Sequence, residues 1–355
     1  MSWDPQAAFD DLPALPPAGE FETKAVLKNL VEARAALARL DARINALPNP
    51  TAMLKPMTLL EARAGAALKG TDTTTDELFT AETLGSGQSY SAREALRYRD
   101  AIWQAFQIPQ SAPLSSKTLV DICSTVLGHD TRIMTPRGEY AGTGVIHGRR
   151  YTPPSDPARH IGALMDFVNE PEGVDPLIAT GLAHYQLSAI RPFVYGNSRT
   201  GRVFTMLLLR HYGLLADPAL AWSRQFHETR SIYSKLMRNV TSRGDWEPWL
   251  RYFVGRVLAA AQGSLALIDR LEQAQGELAA TARQRISRLD DGLIDALTVH
   301  PYVRAVQIGD ECGVSRQTAS LWLQTLTGPD GPLAVRRAGR HVIYINATLL
   351  QALLA

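Results

Sequence analysis

Residues 183–202 read AHYQLSAIRPFVYGNSRTGR. A helix is predicted to end near Ile190, because Pro192 disfavours helical geometry in the residue before it. A short loop follows over residues 196–198, and a second helix is predicted to begin at 199–200. A loop that leads into a helix N-terminus presents backbone N–H groups and the positive end of the helix dipole, which together favour a phosphate group.

Two arginines lie in the first turn of that second helix. Arg199 and Arg202 oppose the helix dipole, so helix stability alone does not favour them. Their guanidinium groups can hold phosphate oxygens through paired hydrogen bonds. The alternative is a basic helix start that faces solvent, and these residues alone do not decide between the two.

Composition and charge indicate an ordinary globular protein. The chain has 355 residues, 45% hydrophobic and 20% charged, with a net charge of +2, so no whole-chain signal indicates a polyanionic partner. We find no leader-like N-terminus and no apolar run approaching ~18 residues, so we expect a cytoplasmic protein without a membrane segment. Cys123 and Cys312 have neither disulfide nor metal-site spacing, and no metal site is predicted.

Apolar spacing predicts a mostly α-helical protein in three parts. Residues 1–90 are expected to form a proline-rich arm and a helical region, 91–275 a central domain, and 276–355 a linker helix and C-terminal domain. Glycines and β-branched residues over Gly138–Pro154 predict a β-hairpin. In the C-terminal part, a helix, a turn, a helix and two short strands predict a winged helix-turn-helix. Other predicted helices include Pro56–Leu68, Thr200–Tyr212, His227–Val240 and Trp246–Leu271.

The segment at 191–202 resembles the signature of the Fic family, HPFxxGNGRxxR with an acidic residue before the first glycine. Arg150-Tyr151-Thr152 is similar to the family's target-binding flap, and the resemblance covers nearly the whole chain. It implies a Fic-fold helical domain with a β-hairpin flap, similar to multidomain bacterial enzymes that transfer AMP to protein hydroxyls, and it implies a homodimer. The matching motif positions are Pro192, Phe193, Gly196, Asn197, Arg199 and Arg202.

Two departures from the motif remove the family's catalytic groups. The first motif residue, a histidine that acts as general base, is Arg191 here, and a guanidinium cannot accept a proton near neutral pH. The acidic residue that holds Mg²⁺ on the nucleotide phosphates is Tyr195, a poor ligand for a hard cation. Ser198 replaces the second glycine, which is a milder change. We therefore expect no required cofactor, and we do not expect Mg²⁺ to be needed.

A further departure lies upstream, in residues 60–70. Many relatives carry an inhibitory helix with the pattern [S/T]xxxE[G/N], whose glutamate pairs with the second motif arginine. In the present chain Gly65 aligns with the Ser/Thr and Lys69 with the glutamate, so no inhibitory ion pair with Arg202 is expected. Lys69 and Arg191 also make the pocket more positive than the family pattern, which favours an anion.

We therefore hypothesise a pseudoenzyme whose pocket binds a nucleotide such as ATP, or another polyphosphate-like anion, without Mg²⁺. The alternatives are a drifted pocket that binds nothing tightly, a Fic enzyme with altered transferase chemistry, and ordinary AMP transfer to a protein target. His184 lies ~10 Å back along its helix from Arg191, too far to replace the base, and is expected to be structural. The expected anion-binding residues are Lys69, Phe193, Gly196, Asn197, Ser198, Arg199 and Arg202.

The predicted winged helix suggests DNA as the partner of a ligand-responsive regulator. Protein contact or dimerisation through the same domain is the alternative. The predicted core residues of this domain are Leu321, Leu323, Leu326, Val342 and Ile343. The candidate DNA contacts are Arg316, Gln317 and Thr318 in the second helix and Arg336, Arg337 and Arg340 in the wing.

Overall fold

A computed structural model describes residues 8–68, 70, 73–85, 89–135, 144–146, 149–151, 153–171, 173–328 and 330–355. The described chain is mostly helical, which confirms the predicted fold class. Two predicted site residues, Lys69 and Thr152, lie outside the described residues. Arg150 and Tyr151 are described for the backbone only.

The N-terminal region contains α1 (Lys24–Asn45), α2 (Pro50–Ala67) and α3 (Thr75–Leu84). The sequence predicts α2 only from Pro56, but the helix begins one and a half turns earlier. Asn49 caps it by accepting a hydrogen bond from Ala52 N at 3.3 Å, and Pro50 occupies the first helical position, where a missing N–H costs nothing. The earlier start brings the N-terminal end of α2 to the helix over Asp291–Val299, where Asn49 Nδ2 donates to Asp295 Oδ2 at 2.9 Å.

The central domain carries the segment at 183–202. Its elements are α4 (Tyr90–Phe106), α5 (Ser116–Leu127), β1 (Gly144–Ile146), β2 (Arg149–Tyr151), α6 (Pro157–Asn169), α7 (Pro176–Ile190), α8 (Asn197–His211), α9 (Ser223–Glu228), α10 (Arg230–Arg243) and α11 (Trp246–Arg285). β1 and β2 pair antiparallel, as the predicted hairpin requires. α7 and α8 flank the motif loop and so set its geometry.

Two helix predictions in this domain need correction. The predicted helix over His227–Val240 is two helices, because the chain leaves helical geometry at Thr229, whose hydroxyl bonds to the Gln225 carbonyl at 2.6 Å. α11 continues far past the predicted end at Leu271. Its apolar spacing persists, and Ala274, Leu278 and Ala282 are buried along the extension.

The C-terminal domain has the predicted order of helix, turn, helix and hairpin. Its elements are α12 (Asp291–Val299), β3 (Tyr302–Val303), α13 (Ala305–Cys312), α14 (Arg316–Thr325), β4 (Leu333–Ala338), β5 (His341–Asn346) and α15 (Ala347–Leu354). The strands form an antiparallel sheet in the order β3-β5-β4. Leu323, Leu326 and Ile343 are buried as predicted. The prediction was wrong for Leu321 and Val342, which are 62% and 40% exposed.

Helix α11 joins two hydrophobic cores. Its middle, including Leu267 and Ile268, belongs to the large core that fills the N-terminal region and central domain. Its last turns contribute Leu278 and Ala282 to the core of the C-terminal domain. The C-terminal domain and the domain that carries the motif therefore both pack against α11.

Candidate functional site

The loop between α7 and α8 is held in shape by its own asparagine. Asn197 Oδ1 accepts a hydrogen bond from Phe193 N at 3.0 Å, and Asn197 Nδ2 donates to Phe193 O at 2.5 Å. Gly196 adopts φ = 83°, and a Cβ there would lie 3.0 Å from Cys123 Sγ, so both conformation and space call for glycine. Phe193 is 1% exposed and packs in the core. Its side chain was predicted to contact the ligand, but its burial leaves it no surface to do so.

The two altered catalytic positions lie at the ends of this loop. Arg191 caps α7 in the left-handed conformation, with φ = 48°, the one positive φ outside glycine in the described part of the chain. That conformation costs ~1–2 kcal/mol for a residue with a Cβ and often marks a functional site. Tyr195 is 72% exposed, so its phenol stands in solvent. A phenol where Mg²⁺ requires a carboxylate means that the donors at this loop do not fit the metal.

Arg199 is buried in an ion pair. Its Nη2 lies 3.1 Å from Glu94 Oε1, and both side chains are about 95% buried. The Tyr90 hydroxyl donates to the same carboxylate oxygen at 3.0 Å. The charge of Arg199 is therefore neutralised within the protein, between α8 and α4, and its contact with a phosphate stays a prediction.

Arg202 is equally buried, but its hydrogen-bond partners are neutral. Its Nη2 donates to Gly65 O at 3.1 Å, its Nη1 to Ser198 Oγ at 2.8 Å and its Nε to the Tyr98 hydroxyl at 3.4 Å. Among the described residues, no carboxylate oxygen lies within 4 Å of its guanidinium nitrogens. Burying a charge without a direct ion pair is costly, so this site favours an incoming anion.

A glutamate that the sequence analysis did not select lies in the same network. Glu61 in α2 is 4% exposed and accepts hydrogen bonds from Ser223 Oγ at 2.5 Å, Ser223 N at 2.8 Å and the Tyr98 hydroxyl at 3.1 Å. Burial raises the pKa of Glu61, and the positive charge of Arg202 opposes that rise. The available signal was a charged pair, Glu61 and Arg63, within a run over 59–68 that is otherwise made of leucine, alanine and glycine.

The contact between α2 and Arg202 depends on the glycine at the end of α2. A Cβ on Gly65 would lie 2.5 Å from Tyr98 Cε1, so the Ser/Thr of the family pattern would displace this ring. The Tyr98 ring in turn lies under the Arg202 guanidinium, 5.4 Å from ring centroid to Cζ. α2 therefore approaches the motif arginine through a backbone carbonyl, not through a carboxylate.

His184 lies in a directional chain of hydrogen bonds within the core. Thr205 Oγ1 donates to Gly201 O at 2.7 Å, so it accepts from His184 Nδ1, which lies 2.7 Å away. His184 Nε2 is then unprotonated and accepts from the Tyr233 hydroxyl at 3.1 Å. Burial, with Arg202 adding to it, lowers the pKa of His184 to about 3. The ring is neutral and structural, as the sequence analysis expected.

This buried imidazole predicts acid sensitivity. The unfolded chain takes up a proton at His184 below about pH 6.5, whereas the folded chain does not until about pH 3. Native stability from this residue should therefore fall by ~1.4 kcal/mol per pH unit, or ~2 kcal/mol from pH 6.5 to pH 5. Urea unfolding at both pH values should show this loss in the wild type and a loss ~2 kcal/mol smaller in His184→Gln. Equal losses in the two proteins would contradict the assignment.

One predicted DNA contact is occupied by another part of the chain. Arg336 Nη1 lies 2.5 Å from Asp76 Oδ2, a second guanidinium nitrogen donates to Thr80 Oγ1, and the group lies over the Tyr302 ring. Arg336 therefore holds β4 against α3, and its contact with DNA stays a prediction. The other candidates are exposed or half-buried: Arg316, Gln317, Thr318, Arg337 and Arg340.

Nowhere in the described residues does a group of three or more His, Cys, Asp or Glu side chains meet the geometry of a metal site. No helix in the described ranges has both the length and the apolar character needed to span a membrane.

The fold and the closed loop ahead of α8 define a Fic-domain protein. Three family models match the chain: "Fic/DOC family N-terminal" at 27–107, "Fic/DOC family" at 113–209, and "Protein adenylyltransferase SoFic-like, C-terminal domain" at 277–349. The chain belongs to the Fic/DOC family, which confirms the resemblance stated for its motif.

Curated relatives match part of the chain. The protein adenylyltransferase Fic of Nematostella vectensis is 28% identical over 162 residues, which is 45% of this chain and 35% of that protein. The protein of the same name from Drosophila grimshawi is 29% identical over 161 residues, 44% of this chain and 30% of that protein. The chain thus spans about a third of the length of these relatives.

Solved structures confirm the fold. A Fic family protein from Desulfovibrio desulfuricans G20 matches with a TM-score of 0.55 and 19% identity, covering 91% of this chain and 96% of that one. Fic-1 (residues 134–508) from C. elegans matches with a TM-score of 0.52 and 20% identity, covering 69% and 74%. At these identities the likeness establishes the Fic fold alone.

Proposed function

We propose that this protein is a degenerate Fic protein that binds a nucleotide or another polyphosphate-like anion without Mg²⁺ and does not transfer AMP. The observation that carries the proposal is Arg202, a buried guanidinium with neutral hydrogen-bond partners, beside a loop that keeps the motif shape. The general base and the metal ligand of the motif are absent, since Arg191 and Tyr195 stand at their positions.

Several groups around the loop support an anion at this place. Gly196 has no side chain to cap the first amide groups of α8, so the N–H groups of residues 197–199 are suited to phosphate oxygens. The exposed Ser198 hydroxyl already accepts from Arg202 and can also donate to a ligand. We propose that Lys69 and Arg191 add the positive charge that Mg²⁺ supplies in catalytic relatives.

Helix α2 gives this pocket a connection to the C-terminal domain. Its last turn presents the Gly65 carbonyl to Arg202, while at its start Asn49 Nδ2 donates to Asp295 Oδ2 of α12 at 2.9 Å. A phosphate that binds Arg202 competes with that carbonyl and would loosen α2 from α8. We propose that the protein is a regulator whose C-terminal domain, a DNA-binding winged helix, responds to ligand through this helix.

Nucleotide binding and label transfer test the proposal directly. The purified protein is titrated with ATP in EDTA and in Mg²⁺ by calorimetry, with AMP as the control that lacks the polyphosphate. In parallel, ATP labelled at the α-phosphate is incubated with the protein and a cell extract. We expect ATP to bind in EDTA, AMP to bind more weakly, and no label to reach any protein. Label transfer that requires this protein and Mg²⁺ would overturn the proposal, whether or not it survives Arg191→Ala, as would the absence of ATP binding.

A further inference from the structure

Helix α14 carries an uncharged stripe on its outer face. Gln317, Leu321 and Gln324 follow the spacing i, i+4, i+7, so they lie along one side of the helix, and each is exposed. Leu321 at the centre is 62% exposed. The opposite side, with Ala319 and Leu323, is fully buried in the core of the C-terminal domain. The stripe therefore faces away from the protein.

The chemistry of this stripe matches one kind of base pair. A glutamine amide can form paired hydrogen bonds with the N6 and N7 atoms of adenine in the major groove. An apolar side chain can contact the thymine methyl group in the same groove. Two amides around one leucine offer no cation for guanine, whose usual partner in that groove is an arginine or lysine.

The surroundings of the stripe fit a DNA backbone. Arg316 lies in the first turn of α14, and Arg337 and Arg340 are exposed on the hairpin β4–β5. Neither α14 nor the hairpin over 333–346 contains an acidic residue. Phosphate contacts of this kind orient a protein on the duplex without reading its sequence.

The packing of the hairpin leaves this side open. Arg337 in β4 lies opposite Val342 in β5, so the two side chains are on the same face of the hairpin. Val335, two residues before Arg337 in β4, is on that face too, and both valines are exposed. Tyr344, opposite Val335 on that face, belongs to the same core as α14. The other face carries Arg336, which α3 holds through Asp76. The contact with the N-terminal region thus covers the back of the wing, not the side that continues from α14.

From these observations we infer that the outer stripe of α14 reads A·T base pairs in the major groove of duplex DNA. The inference rests on the DNA-binding arm of the proposed function and specifies its sequence class. A protein partner is the competing occupant. The centres of protein interfaces are enriched in aromatic residues and methionine, whereas the exposed side chains on this side are aliphatic residues, amides and arginines.

The test uses the full-length protein and short labelled duplexes in a fluorescence-anisotropy titration at several salt concentrations. One duplex contains only A·T pairs and a second only G·C pairs. In a third, inosine·cytosine pairs combine a minor groove like that of A·T with a major groove like that of G·C. In a fourth, uracil replaces thymine and removes its methyl group. We expect the A·T duplex to bind about tenfold more tightly than the G·C and inosine duplexes. Uracil should weaken binding about fourfold.

Variants separate base reading from backbone contact. Leu321→Ala should abolish the difference between thymine and uracil, while Gln317→Ala and Gln324→Ala should reduce the preference for A·T. Arg337→Ala should weaken binding to every duplex by a similar factor and lower the salt dependence. The three stripe residues are exposed, so unchanged thermal unfolding is expected for all of these variants.

The possible outcomes distinguish A·T reading by α14 from the more general proposal that the C-terminal domain binds DNA. Equal, salt-sensitive binding to all four duplexes would overturn A·T reading and leave the DNA-binding regulator intact. Tight binding to the inosine duplex but not to G·C would also overturn it, because only the minor groove would then be read. No binding to any duplex at low salt, with binding of the domain to a protein instead, would overturn both.

Discussion

Replacing Arg202 with methionine is expected to weaken ATP binding in EDTA by about a hundredfold or more while the protein stays folded. Each hydrogen bond from a guanidinium to a charged oxygen contributes ~1.5–3 kcal/mol, and a hundredfold loss corresponds to ~2.7 kcal/mol. Folding should tolerate the change, because methionine removes a buried charge that lacks a direct ion pair among the described residues. Calorimetric titration with ATP and urea unfolding measure the two effects on the same samples.

A second arginine of α8 provides the matched control. Arg210 lies two turns beyond Arg202 and donates to the backbone carbonyls of Ile108 and Ala216, away from the motif loop. Arg210→Met removes the same charge from the same helix, so its ATP affinity should match the wild type. If Arg202→Met binds ATP as tightly as Arg210→Met, the anion does not bind at Arg202 and the proposed pocket is wrong.

Replacing Arg199 with methionine is expected to have the opposite pattern, with a loss of about 3–5 kcal/mol in the free energy of unfolding. The change leaves the Glu94 carboxylate buried without the guanidinium that lies 3.1 Å away. Urea unfolding of the single variant gives the size of the loss. In the double variant Arg199→Met, Glu94→Gln the buried carboxylate charge is also removed, so part of the stability should return.

The same measurement can contradict this assignment. A loss below about 1 kcal/mol would be typical of a solvated surface pair and not of a buried one. A folded Arg199→Met protein that no longer binds ATP would restore the role that its motif position first predicted. Unfolding and ATP-binding measurements on the two variants thus test whether Arg199 forms an internal ion pair and Arg202 contacts the ligand.

Local parts of the fold could be read from the sequence because they depend on near neighbours. α7 ends at Ile190 as predicted, because Pro192 disfavours helical geometry in the residue before it. The hairpin and the helix-turn-helix order follow in the same way from glycines and alternating residues. The altered motif is also a local feature: the loss of a proton acceptor at Arg191 and of a carboxylate at Tyr195 needs no coordinates. The predicted domain bounds, homodimer and cytoplasmic location stay predictions.

What a side chain does in the site was decided by partners far along the chain. Arg199 and Arg202 read alike in sequence, yet one meets Glu94, 105 positions away, and the other meets Gly65, 137 positions away. Arg336 is paired with Asp76 across 260 positions. The sequence by itself thus determined the family, the order of the main elements and the replacement of two residues of the motif. Only the packing of α2, α3 and α4 against α8 and the wing decided which charges are neutralised, because Coulomb interactions and burial depend on distance in space and not on separation in sequence.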